Sequence, residues 1–104
     1  GGKRRLDLNR EIRQAVTTGK VILGPDKSLK ALKLGQAKLV ILALNCQEVV
    51  RADVEHYAKL ADIPIHVYHG DSTELGLACG KPFLVSVMTV LDPGSSNILN
   101  IGGI

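Results

Sequence analysis

Three histidines (His56, His66 and His69) and two cysteines (Cys46 and Cys79) are the residues of this chain with the chemistry to ligate a transition metal. Their spacing argues against it. His66 and His69 fall three apart in a stretch that reads as a strand, where they point to opposite faces, and neither HxxxH nor CxxC occurs. "GLACGKP" resembles a phosphate loop, but Gly76 and Gly80 enclose three residues where that loop needs four, and Pro82 stands where a magnesium-binding Ser or Thr is required. A dinucleotide fingerprint GxGxxG and a nucleophile elbow GxSxG are both missing from the sequence. The chain is therefore expected to be non-catalytic and to need no metal or other cofactor.

Nucleic acid recognition has better material. "GPDKS" places the start of a helix beside Gly24, where backbone N–H groups and the positive end of the helix dipole favour phosphate. Lys27 and Lys30 then lie about 60° apart on that helix, close enough to contact phosphates or guanine edges together. The same lysines suit a solvated outer face equally well. With Tyr57, Tyr68 and Phe83 as its only aromatics, the chain cannot offer the multi-base stacking platform of an RRM. In "GKPFL", Phe83 beside Lys81 could stack on one unpaired base, although a buried anchor for that loop is the plainer reading of the residues alone.

These residues must be positioned by regular elements. In "LNREIRQAVTTGK", Leu8, Ile12, Ala15 and Val16 share one helix face, with Asp7 as a cap and Gly19 as the stop. "VILG" is a short strand. "KSLKALKLG" follows as an amphipathic helix, with Leu29 and Leu32 inward and Lys27, Lys30, Lys33 and Leu34 outward. "AKLVILAL" is apolar without alternation, the mark of a strand in the middle of a sheet covered on both faces. Val50, Val54, Tyr57, Ala58 and Ala61 repeat at helical spacing up to Pro64, and "IHVY" is a strand. "GDSTELGLACG" predicts a short helix capped by Asp71 or Ser72, "VSVMTVL" another strand, and "DPGSS" a turn with Pro and Gly in type II order. The alternation of helices and strands predicts a three-layer α/β/α sandwich on a central mixed sheet of about four strands.

The length of 104 residues suits one domain with one real core, since a chain of this size buries somewhat over ~60% of its unfolded surface. Gly1 and Gly2 read as a cloning remnant, leaving 3–104 as the expected domain. The lone cysteines suit free thiols in a reducing compartment, no apolar run is long enough for a membrane span, and a cytoplasmic protein is expected. Charge is unevenly spread: residues 1–40 carry a balance of +7 and residues 41–104 one of −4. That asymmetry predicts one basic face presented to an anionic partner.

"GKVILGPDKSLKALKLGQAKLVILALNC", "VEHYAKLADIPIHVYHGDSTELGLACGKPF" and "VLDPGSSNIL" together resemble the e-type family of large-subunit ribosomal protein thirty, within the kink-turn RNA-binding superfamily of ribosomal protein seven-Ae. The resemblance runs over residues 8–99. It implies an α/β/α sandwich whose second helix meets a kink-turn near its sheared G·A pairs. It implies RNA contacts at Gly24, Lys27, Ser28, Lys30 and Asn45, and a second contact region at Gly80, Lys81 and Phe83. The Asn-Glu pair that opens this helix elsewhere in the superfamily is here Asp26 and Lys27, and Asp26 is not carried over as a contact. The implied protein is a non-catalytic constituent of the large ribosomal subunit in the cytoplasm, monomeric when free, whose partners are rRNA with a kink-turn and neighbouring subunit components. Other functions open to the sequence are a kink-turn protein of another RNP or a repressor of its own transcript, a small α/β enzyme, and a protein-interaction module.

Overall fold

The computed structural model describes residues 8–103, with side chains described for residues 8–100. The expected cap Asp7 and the proposed remnant Gly1 and Gly2 lie outside the described residues. The elements follow in the order α1 (Leu8–Thr18), β1 (Lys20–Leu23), α2 (Pro25–Lys33), β2 (Leu39–Leu42), α3 (Glu48–Leu60), β3 (Ile65–Val67), α4 (Ser72–Ala78) and β4 (Val87–Asp92), closed by a 3-10 helix at Ile98–Gly103. This is the predicted alternation with one short helix added at the tail.

The four strands form one mixed sheet in the order β1-β4-β2-β3, in which only β2 and β3 run parallel and β4 is antiparallel to both of its neighbours. β2 is interior, as its unalternated sequence predicts, and all four of its residues are buried. Its period-2 geometry divides them between two cores. Leu39 and Ile41 join Met88 and Val90 against Ile12 and Ala15 of α1, Leu75 of α4 and Ile98. Val40 and Leu42 join Val87 against Leu32 of α2 and Val54 and Ala58 of α3. The sandwich is thus α1 and α4 on one face and α2 and α3 on the other.

The helix ends are local chemistry. α2, α3 and α4 all close by the same device: the residue two past the last helical one is in the left-handed region, and paired backbone hydrogen bonds satisfy the last carbonyls. Gly80 (φ 75°) donates to Leu77 and Lys81 donates to Gly76, Gly35 (φ 69°) and Gln36 do the same for α2, and Asp62 (φ 58°) and Ile63 for α3. Asp71 is the cap of α4: its side chain accepts from the Glu74 N–H, while Glu74 accepts from the Asp71 N–H. The turn after β4 closes one residue later than the type II order predicts, with Ser96 N–H donating to the Pro93 carbonyl. The Asp92 side chain accepts from Gly94 N–H and so draws the bend past the proline.

Candidate nucleic-acid interface

The strand registers bring the loops that precede or carry the candidate residues to one end of the sheet. Leu23 pairs with Met88, and Leu42 pairs with both Val87 and Val67, so β1, β2 and β3 finish, and β4 begins, at one end of the sheet. Four loops leave from that end. They are stitched by backbone hydrogen bonds from Gly24 to Val87 (2.8 Å), Ala43 to Ser86 (2.9 Å), Leu44 to Gly70 (2.9 Å) and Val85 to Ser72 (3.1 Å). Between them lies an open hollow lined by Pro25, Asn45, Gln47, Ser72, Leu84 and Ser86.

Gly24 is the N-cap of α2 with φ 117° and ψ 157°, a conformation essentially restricted to glycine. No atom lies within 4 Å of where a Cβ would stand, so the position demands glycine for its backbone and leaves that side of the chain open. No side chain caps α2, Pro25 at its first position has no N–H to satisfy, and "PDKS" is the helix's own first turn, directly after Gly24. Asp26 is exposed in that first turn and does not cap the helix.

Along α2, Lys27, Lys30 and Lys33 are exposed. Lys33 is committed elsewhere: its Nζ lies 5.0 Å from the centre of the Tyr57 ring on α3, a cation–π contact. Lys27 and Lys30 are therefore the cations that α2 offers outward. Ser28 is fully buried with Ala31 and Leu32, and its hydroxyl has no hydrogen-bond partner among the described residues. It lies on the inner face, which is rotated from the expected Leu29 and Leu32 so that Leu29 is at the border and half-buried. The lysines and the Ser28 side chain thus face opposite ways.

Asn45 is exposed, yet its side chain is engaged: Oδ1 accepts from Ser72 N–H at 2.8 Å and Nδ2 donates to Ser72 Oγ at 3.3 Å. It ties the loop after β2 to the first residue of α4. In the "CGKPF" loop, Gly80 makes the turn and Lys81 is half-exposed, while Phe83 is 54% exposed, so the buried-anchor reading of its ring is overturned. The loop is held close to α4 because Gly76 has no Cβ; one there would stand 2.1 Å from the Phe83 carbonyl oxygen. Leu44 and Leu84 in the loops and Leu77 on α4 are exposed apolar residues that pattern reading passed over, since isolated leucines look like core residues until the sheet ends are placed.

The predicted single basic face is not what the fold makes. Arg10 and Arg13 belong to α1 and the lysines to α2, and these helices cover opposite faces of the sheet. A charge count along the chain cannot see that division.

Burial, and then the charge of His69, lowers the His66 pKa, which favours its neutral form. Burial raises the Cys46 thiol, partly opposed by Arg51, and pushes Cys79 up to about 11, with Lys81 opposing. Neither is an activated nucleophile. Among the described residues no group of three or more His, Cys, Asp or Glu side chains is arranged to hold a metal, and no helix is long and apolar enough to cross a membrane.

A sandwich with a lysine-bearing helix rising from the end of its mixed sheet matches a recognised class. Residues 7–100 match the model of the Ribosomal protein L7Ae/L30e/S12e/Gadd45 family, and the chain belongs to that family. It is 52% identical over 96 residues to the large ribosomal subunit protein eL30 of Methanosphaera stadtmanae, covering 92% of this chain and 98% of that one. It is 49% identical over 98 residues to the protein of the same name from Methanothermobacter thermautotrophicus, covering 94% and 100%. A solved structure of a protein with unknown function from Bacillus halodurans C is 26% identical and superimposes with a TM-score of 0.81, over 94% of this chain and 97% of that one. The relatives named eL30 are ribosomal proteins, in agreement with the expectation that the chain is non-catalytic.

Proposed function

We propose that the protein is a structural constituent of the large ribosomal subunit that binds a kink-turn in rRNA and holds its bend, acting in the cytoplasm as part of the ribosome and monomeric when free of it. The observation that carries this reading is the pairing of Lys27 and Lys30, exposed on α2, with an uncapped helix start beside Gly24. A kink-turn crowds phosphates at a sharp bend, and a helix N-terminus with two outward cations offsets that crowding without chemistry. Asn45 and the loop bearing Lys81 and Phe83 border the same end of the sheet, which suits contact with bases at the bend and a stack on one that is unpaired. The subunit assignment rests on the names of the relatives, and rRNA and neighbouring subunit components are the corresponding partners.

The test is a binding titration against a kink-turn RNA and a twin whose sheared G·A pairs are replaced by Watson–Crick pairs, each at two salt concentrations. The expected result is tight binding to the first and a loss of several kcal/mol on the second. Lys30→Ala should weaken kink-turn binding with an unchanged melting curve. Equal affinity for the two RNAs would sink the reading and leave charge alone holding the RNA.

A further inference from the structure

α1 carries a cation, Arg13, that the kink-turn reading leaves unused. Arg13 is exposed, and its guanidinium lies against Gly80: a Cβ on that glycine would stand 2.7 Å from Arg13 Cζ and Nε. Arg10 and Arg13 line a groove between α1 and α4, with Leu77 and Ala78 on its other wall. The groove also holds Glu74, but that carboxylate accepts from the Asp71 N–H in the cap of α4. The one acid of α1, Glu11, accepts from Ser96 Oγ and Asn97 N–H. The only ion pair among the described residues joins Arg51 and Glu55, so Arg13 stands there without a carboxylate partner.

We infer that Arg13 of α1 forms a second phosphate contact that takes the RNA backbone of a helix flanking the kink-turn. The inference rests on the proposed kink-turn site and extends it. Gly80 and Lys81 are the link: Arg13 packs on Gly80, and the same loop goes on to the exposed ring of Phe83. Lys81 and Phe83 share a hollow with Leu77, and Leu77 also lines the groove of Arg13, so the two surfaces adjoin. Arg13 suits that backbone because its planar fork presents several donors to phosphate oxygens. RNA is favoured over an acidic protein segment because the surface is continuous with the loop already assigned to RNA.

The experiment compares the wild type with Arg13→Gln on two RNAs: a minimal kink-turn, and the same kink-turn carrying a longer helix on each side. Arg13→Lys is the charge-retaining control, and thermal melting checks the fold. Arg13→Gln should leave affinity for the minimal RNA unchanged, weaken the extended RNA by about three- to tenfold, and lower its log–log salt slope by about one. Arg13→Lys should recover most of that loss. No effect on either RNA overturns the assignment and returns the surface to an acidic protein partner; an equal loss on both overturns it by placing Arg13 in the kink-turn site itself. The wild type's preference for the kink-turn over its Watson–Crick twin tests the underlying reading separately, and its absence would overturn that reading and this inference with it.

Discussion

At Gly24 the demand on the residue comes from the backbone, since open space surrounds the position of a Cβ. Gly24→Ala is expected to destabilise the protein by about 1–3 kcal/mol through backbone strain alone. Urea unfolding measures this; a cost below a few tenths would mean that the turn into α2 relaxes freely. Thr89 has the opposite problem. It is fully buried on β4, and its hydroxyl finds no partner among the described residues. Val keeps the branched shape and discards the unsatisfied group, so Thr89→Val should stabilise by about 1 kcal/mol. A loss of stability would indicate a hidden partner, such as a buried water. Both residues were legible only in part. "GP" ahead of a lysine-rich helix announces a turn, whereas nothing in "VMTVL" says that its threonine is unpaired, because satisfaction depends on the face of α2 that arrives opposite.

At the scale of elements, the site depends on how β2 and α4 are joined. The two hydrogen bonds between Asn45 and Ser72 fix the start of α4, and α4 in turn carries the Gly80–Phe83 loop on its far end. Asn45→Ala should therefore cost about 1–2 kcal/mol of stability besides any loss of RNA contact. Thermal unfolding with no RNA present isolates the structural part, and an unshifted midpoint would assign Asn45 to recognition alone. Element types were readable because each rests on local chemistry: the aliphatic run of β2, the spacing of Val50, Val54 and Ala58, and the capping box at Asp71 and Glu74. Strand order, the mostly antiparallel pairing and the inward turn of Ser28 were not readable. They arise from long-range packing, as when Ser28, Ala31 and Leu32 rather than Leu29 meet the sheet.

For the whole molecule, the decisive property is where charge ends up once the chain is folded. The excess of +7 in residues 1–40 looks like one patch in sequence, yet the sheet separates Arg10 and Arg13 from Lys27 and Lys30. Net charge consequently overstates the number of cations that one bend of RNA can meet. With Lys27, Lys30 and Lys81 as the proposed phosphate contacts at the sheet end, counterion release predicts a slope of log K against log salt of roughly −2 to −3 on a minimal kink-turn, at about −0.7 to −0.9 per contact. If the full N-terminal excess bound at once, the slope would be far steeper. The double variant Lys27→Ala, Lys30→Ala should reduce the slope to about −1, leaving the contribution of Lys81. Both lysines are exposed and in no ion pair among the described residues, so the melting temperature should stay within a degree or so of the wild type. A slope unmoved by the double variant would take α2 out of the interface and shift the RNA to the α1 side of the sheet, where Arg13 and Lys81 would have to carry it.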